Sequence, residues 1–142
     1  MIELTDGRMQ MPQKDEGVLE PGYQLTLEHR PGYLYAYVRG SRDSVEIDYS
    51  YFGKIAEECR KHGCKRVLIE EDLETQLSAT EMYEATSSVR SLYVPGVKVA
   101  FVDRRPSHRP GNLFGQLVAT NRGVWVRVCD SVEDAQKWLL ES

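Results

Sequence analysis

The stretch KHGCKRVLIEED, from Lys61 to Asp72, decides the fold because it ends a helix and begins a buried strand. Gly63 is the residue type that ends helices, since glycine adopts the left-handed backbone conformation freely. Val67, Leu68 and Ile69 form a short continuous apolar run, as in a parallel strand that is covered by helices. A helix that leads directly into such a strand is the repeating unit of an α/β protein.

A helix is predicted upstream of Gly63, over residues 44–62. Phe52, Ile55 and Cys59 recur at helical spacing on one face, and the charged side chains fall on the other. Both Asp43 and Asp48 could cap the first turn of this helix.

Two strands are predicted before this helix, over residues 23–28 and 33–38, because apolar and polar residues alternate there. The Pro-Gly pair at residues 31–32 is typical of a turn and predicts an antiparallel hairpin. Tyr33, Tyr35 and Tyr37 share one face of the second strand. We expect the N-terminal residues or a second subunit to cover that face, whereas an exposed aromatic face would mark an interface or a lipid-like ligand groove.

Three further helices and two strands are predicted downstream of the opening stretch. Ser78 and Glu81 have capping-box spacing, and Asp130 with Glu133 is interpreted as the cap of the last helix. The predicted order is β-β-α-β-α-β-α-β-α, an α/β fold with a mixed, mostly parallel five-stranded sheet and four helices. Residues 1–19 lack a period and are interpreted as a flexible N-terminal arm or an added edge segment, which leaves residues 20–142 as a single domain.

The composition narrows the classes of function. The 142 residues carry a net charge of −4, so bulk attraction to nucleic acid is not expected. No apolar run is long enough for membrane insertion, and the first residues do not resemble a secretory signal, so we expect a cytoplasmic protein. The three cysteines, Cys59, Cys64 and Cys129, are interpreted as reduced thiols without a metal or redox role.

The element order, together with FGQLVATNRGVWVRV at residues 114–128, resembles the SpoIIAA-like (STAS/SEC14-like) family of small bacterial proteins. The resemblance covers residues 20–142. It implies a non-enzymatic interaction or regulatory module that docks to a protein partner. Its SEC14-like side implies, as the alternative, a small-molecule or lipid-binding protein.

Ser78 has two interpretations. In the anti-sigma-antagonist branch of the family, a serine at the start of a helix is phosphorylated by a partner kinase, and Ser78 is the nearest position in this chain. From the residues alone, the Ser78 hydroxyl is the N-cap of a helix.

A basic loop before the third predicted helix is the main candidate for partner or anion binding, because backbone amides at a helix N-terminus attract anions. Its candidate residues are Arg104, Arg105, His108, Arg109 and Asn112. An acidic loop at residues 70–74 should lie at the same edge of the sheet, so the two loops could instead pair with each other.

No catalytic constellation, cofactor site or metal site is predicted. His29, His62 and His108 fall on a turn, a helix end and a loop, with no nucleophile placed beside them by any motif. The acidic run lacks the spaced oxygen ligands of a calcium loop. We therefore expect a binding protein rather than an enzyme, with a protein partner, a small anionic or lipid ligand, or a second copy of the chain as its partner.

Overall fold

The computed structural model describes residues 2–5, 8–9 and 22–141. Within these ranges the chain forms seven strands, four α-helices and two short 3₁₀ turns at Arg90–Leu92 and Pro106–His108. The strands are β1 (Ile2–Thr5), β2 (Arg8–Met9), β3 (Tyr23–Arg30), β4 (Tyr33–Gly40), β5 (Arg66–Leu73), β6 (Lys98–Asp103) and β7 (Val126–Cys129). The helices are α1 (Val45–His62), α2 (Ala79–Val89), α3 (Arg109–Asn121) and α4 (Val132–Leu140).

All seven strands belong to one mixed sheet in the order β2-β1-β3-β4-β5-β6-β7. The pairs from β2 to β4 are antiparallel, which confirms the predicted hairpin of β3 and β4, and the pairs from β4 to β7 are parallel. The prediction of an α/β protein with a mixed sheet and four helices is confirmed.

Strands β1 and β2 lie within the segment that was interpreted as a flexible arm or an added edge segment. β1 pairs antiparallel with β3, so that Ile2 faces Leu27 and Thr5 faces Gln24 along the ladder. These two strands extend the sheet beyond the five that the sequence predicted. Residues 10–19 of the segment lie outside the described residues.

The helices cover the two faces of the sheet unequally. On one face, α1, α2 and α3 pack over a core that includes Leu25, Val67 and Ile69. On the other face, α4 is the one helix of the described residues that packs over Leu68 and Ala100. Because β5 is central and covered on both faces, both sets of its alternating side chains are apolar in its first half, which explains the continuous run at residues 67–69.

The two ends of α1 show which of the predicted helix caps are present. Gly63 ends the helix with a φ of 66°, as predicted. The prediction that Asp43 or Asp48 caps its first turn is wrong, because the Ser44 hydroxyl accepts a hydrogen bond from the Ile47 amide at 3.0 Å. Asp43 instead accepts from the Ser44 amide at 2.8 Å, and Asp48 turns into the core.

Two further boundaries differ from the prediction. α4 is capped by the Ser131 hydroxyl, which accepts from the Asp134 amide at 3.0 Å, so Asp130 is not its cap. The basic loop that was predicted before the third helix is shorter than expected, because the turn at Pro106–His108 leads directly into α3, which includes Arg109 and Asn112. Pro110 fits the first turn of α3, because an amide hydrogen there would have no partner within the helix.

Within the described part of the chain, none of the helices combines the length and the apolar character that crossing a membrane requires.

Candidate functional site

A cavity of about 130 Å³ lies between the sheet and helices α1, α2 and α3. Its lining is mainly apolar and includes Ile55, Val67, Ala85, Val99 and Phe101. An engineered apolar cavity of about 150 Å³ can hold a benzene molecule. The interior of this protein therefore has room for an apolar group of about that size.

Three carboxyl groups, which we call the acid cluster, line one end of this cavity: Asp43, Asp48 and Glu71. Asp43 precedes α1, Asp48 lies in the first turn of α1, and Glu71 lies near the carboxyl end of β5. One oxygen from each side chain lies within 4.8 Å of the others. The alternation of β5 places Glu71 on the same face as Val67 and Ile69, so its carboxyl group faces the helices rather than solvent.

The acid cluster is buried, since Asp48 is only 7% exposed and Glu71 only 4%. Burial raises the pKa of Glu71 well above its ordinary value, and the nearby Asp43 carboxylate adds to this shift. Burial likewise raises the pKa of Asp48, together with a hydrogen bond to Asp43 and the charge of Glu71. The pKa of Asp43 is also raised by burial. A cation or a hydrogen-bond donor that entered the cavity would relieve this unfavourable arrangement.

The hydrogen bonds of the acid cluster are incomplete. The Tyr51 hydroxyl donates to Glu71 Oε2 at 2.5 Å, which satisfies one oxygen of that carboxyl. The Asp48 Oδ1 atom is buried and has no hydrogen-bond partner among the described residues. An unpaired buried acceptor costs about 1–3 kcal/mol, so this atom is a natural binding point for a donor group of a ligand.

Asp103 forms a second, fully bonded carboxylate beside the acid cluster. Its Oδ2 accepts from Asn112 Nδ2 at 2.9 Å and lies 3.1 Å from His108 Nδ1. Its Oδ1 accepts from the Arg105 amide at 2.8 Å. His108 and Asn112, two of the predicted anion-binding residues, are thus buried and directed at a carboxylate, which fixes the start of α3.

The three arginines of the basic loop form ion pairs with acidic residues. Arg104 Nε lies 2.7 Å from Glu70 Oε2, and Arg105 Nη2 lies 2.9 Å from Asp72 Oδ1. Arg109 pairs with Asp130. The mutual pairing of the acidic and basic loops, which the sequence left open, is therefore present in the structure.

Ser78 is exposed and caps α2, as the sequence predicted. Its hydroxyl accepts from the Glu81 amide at 3.1 Å, and the Glu81 carboxylate accepts from the Ser78 amide at 2.9 Å. This is a complete capping box.

The aromatic face of β4 is bonded to the acidic loop and partly covered by α4. Tyr33 is buried in the cluster beneath α4. The Tyr35 hydroxyl donates to Glu70, and the Tyr37 hydroxyl donates to Asp72 at 2.9 Å. The predicted cover by residues of the N-terminal arm falls largely outside the described residues.

Sequence reasoning missed the acid cluster as a site, because it took Asp43 and Asp48 for helix caps and Glu71 for part of an acidic loop. One signal was available for Glu71, since it continues the alternation of Val67 and Ile69 on a face that must be buried. Asp48 precedes Tyr51 and Ile55 at helical spacing, which places it on the apolar face of α1.

No protein-family model and no curated protein matches this sequence.

Proposed function

We propose that this chain is a non-enzymatic small-molecule-binding protein whose ligand has a compact apolar body and a positively charged amino group. The apolar body would occupy the cavity beneath α1, α2 and α3, and the amino group would contact the acid cluster. One observation carries this proposal: an apolar cavity of about 130 Å³ ends at three clustered carboxyl groups. Apolar walls with a few convergent polar groups are typical of ligand sites.

The chemistry of the acid cluster favours a cation. Asp48 Oδ1 needs a donor, and the nearest charged groups are the carboxyls of Asp43 and Glu71. An ammonium group offers three N–H donors and a positive charge, so it can bond to several of these oxygens at once. An anionic or fatty-acid ligand would add a further negative charge to the cluster and is disfavoured.

A small-molecule role agrees with the SEC14-like side of the family resemblance. We propose that residues 20–142 form a domain of the SpoIIAA-like kind, on the basis of the α/β order and the segment at residues 114–128. In this proposal the protein binds its ligand without transforming it.

Calorimetric titration with three molecules of similar shape tests the proposal: 2-phenylethylamine, phenylacetate and ethylbenzene. We expect the amine to bind and to raise the melting temperature by roughly 5–10 °C at saturating concentration. Phenylacetate should not bind, and ethylbenzene should bind more weakly than the amine because it cannot satisfy the carboxyls. Asp48→Asn should weaken amine binding by roughly 10- to 100-fold.

A pair of matched variants locates the binding site. Ala85 lines the cavity and is 2% exposed, so Ala85→Leu should fill the space and prevent amine binding. Ala79→Leu makes the same change at an exposed position of α2 and should leave binding unchanged. Equal amine binding by both variants, or no binding of any of the three molecules by the wild-type protein, would contradict the proposal.

Docking to a protein partner is a second candidate function, favoured by the exposed apolar side chains of α3. Leu113 and Phe114 are each 38% exposed, and Leu117 is 57% exposed. The half-exposed Arg104 and Arg105 lie in the loop that leads to α3, so a partner with an apolar centre and an acidic rim would suit this part of the protein.

Cross-linking tests the docking function in cells that express the protein. Leu117→Glu should remove the specific cross-linked product while the melting temperature is retained, and the product's mass should reveal whether the partner is a second copy. Arg104→Glu should weaken the same product. If both variants give the wild-type cross-links, this second function is wrong.

A further inference from the structure

Two histidines that are far apart in the sequence meet around one carboxylate on the surface of the protein. His29 lies near the end of β3, and Glu58 and His62 lie on the last turns of α1. One ligating atom from each side chain lies within 4.8 Å of the others. We propose that His29, Glu58 and His62 form a zinc site, which is independent of the cavity and its ligand.

The spacing of Glu58 and His62 already matches that of two zinc ligands, whereas His29 lies in direct hydrogen-bond contact with Glu58 and would have to move outward. Glu58 Oε2 lies 2.6 Å from His29 Nε2 and 3.4 Å from His62 Nε2. Zinc binds histidine nitrogen and carboxylate oxygen at about 2.0–2.2 Å, so tetrahedral geometry places two ligand atoms roughly 3.3–3.5 Å apart. Small rotations of His29 and Glu58 would bring all three atoms to this spacing around one ion.

The fold itself aims these side chains at a common point. Glu58 and His62 are four residues apart on α1, so they lie on one face of the helix, one turn from each other. His29 continues the alternating row of Leu25 and Leu27, which faces α1, and it is the exposed residue at the end of that row. The packing of α1 on β3 therefore sets the separation between the histidine of the strand and the two ligands of the helix.

The ligand set selects the metal. Two imidazoles and one carboxylate are a common three-ligand set for zinc, whereas calcium and magnesium prefer oxygen ligands alone. The Glu58 side chain is 10% exposed and therefore held in place, while the side chains of His29 and His62 are 40% and 45% exposed. This exposure leaves a fourth position open for water or for a ligand atom from another molecule.

The sequence did not predict this site because it placed His29 in a turn and His62 at a helix end, without a recognisable metal-binding spacing between them. In the structure His29 belongs to β3. The remaining explanation for the cluster is a hydrogen-bonded histidine–glutamate pair with a second histidine packed edge-to-face nearby, since the two imidazole centroids are 4.8 Å apart and their planes meet at 65°. Metal binding distinguishes the two explanations.

Calorimetric titration of chelator-treated protein with zinc chloride tests the proposal, and cobalt chloride provides a spectroscopic probe. We expect a single zinc ion per chain and intense visible absorption bands of tetrahedral cobalt. His29→Ala, His62→Ala and Glu58→Gln should each weaken zinc binding by about tenfold or more. Glu57→Gln changes an exposed neighbour on α1 and should bind zinc as the wild-type protein does.

Two further variants test alternative metal-binding groups among the described residues. Asp48→Asn removes a carboxylate of the acid cluster, and Cys64→Ser removes a partly exposed thiol. Both should retain the zinc affinity of the wild-type protein. The proposal is overturned if the wild-type protein does not bind zinc at 100-micromolar concentration, which is about the weakest affinity of interest. Zinc binding that survives His29→Ala and His62→Ala but is lost in Asp48→Asn or Cys64→Ser would also overturn it.

Discussion

The carboxyl groups of Asp48 and Glu71 lie among apolar residues, and their nearest charged neighbours are other carboxyls. Burial and mutual repulsion raise the pKa of each above the value it has in the unfolded chain. The folded protein therefore binds more protons than the unfolded chain at any pH between those two values. Linkage then requires the free energy of unfolding to fall as the pH rises through this interval.

We predict that Asp48→Asn reduces this loss of stability at high pH. The amide cannot ionise, so the variant should become more stable than the wild-type protein above the ordinary carboxyl range. The melting temperature should rise by about 2–4 °C for each kcal/mol of relieved cost. Thermal melts between pH 4 and pH 8 measure the difference between the two proteins.

Glu46→Gln is the matched control, because Glu46 lies in the same turn of α1 and is exposed. Its difference from the wild-type protein should vary little with pH. If the melting temperatures of Asp48→Asn and the wild-type protein keep a constant difference over the whole range, the Asp48 carboxyl does not titrate differently on folding.

The acid cluster also shows why the site could not be predicted residue by residue. Asp43, Ser44 and Asp48 are all residue types that cap helices, and local sequence gives no reason to choose among them. The choice depends on tertiary packing, because the contact of α1 with β5 turns Asp48 into the core. Of the three residues, Ser44 is the one whose side chain accepts from the Ile47 amide.

At the scale of elements, most boundaries follow from signals that act within a few residues. Gly63 ends α1, Ser78 with Glu81 begins α2, and the apolar run at residues 67–69 lies in β5, as the sequence predicted. Strands β1 and β2 were not predicted as strands, since they are short and β1 pairs with β3, a partner distant in the sequence.

The capping box of α2 gives an element-scale prediction. Ser78→Ala removes the acceptor for the Glu81 amide and should lower the free energy of unfolding by about 1 kcal/mol. Ser78→Asp should retain most of the stability, because a carboxylate can also cap and favours the helix N-terminus. Urea denaturation measures both values.

The control for the cap is Ser41→Ala, which changes an exposed serine outside any helix or strand. It should be within about 0.5 kcal/mol of the wild-type protein. If Ser78→Ala is no less stable than this control, the Ser78 hydroxyl does not contribute as a cap. The phosphorylation proposed from the family resemblance then becomes the better explanation for a serine at this position.

At the scale of the whole molecule, the two faces of the sheet are covered by unequal numbers of helices. In the part of the chain that the structure describes, three helices cover one face and α4 covers the other. The continuous apolar run at residues 67–69 of β5 predicted burial on both faces, but not which helix supplies the cover. Convergence of distant residues, as in the acid cluster or the pair His29 and His62, depends on the helix-to-sheet packing, which local sequence patterns do not encode.

Lys98 attaches α4 to the sheet. Lys98 lies in β6, is 7% exposed, and its Nζ donates to the carbonyl oxygens of Trp138 at 2.5 Å and Glu141 at 3.3 Å. The ammonium also lies 4.6 Å from the centroid of the Trp138 ring and 5.4 Å from that of Trp125. A positive charge at the C-terminal end of a helix is favourable, because the free carbonyls there carry partial negative charge.

We predict that Lys98→Met loosens α4 before the rest of the protein unfolds. Methionine retains the apolar stem but leaves these carbonyls without their donor, so the free energy of unfolding should fall by about 1–3 kcal/mol. Hydrogen exchange should accelerate most in α4, and the emission of Trp138 and Trp125 should shift to longer wavelength. Lys137→Met, at an exposed position of the same helix, should change neither measurement. A contact confined to one face of the sheet should first affect the helix that it holds. If Lys98→Met instead accelerates hydrogen exchange equally in α1 and α4, the two faces unfold as one unit and Lys98 does not act on α4 alone.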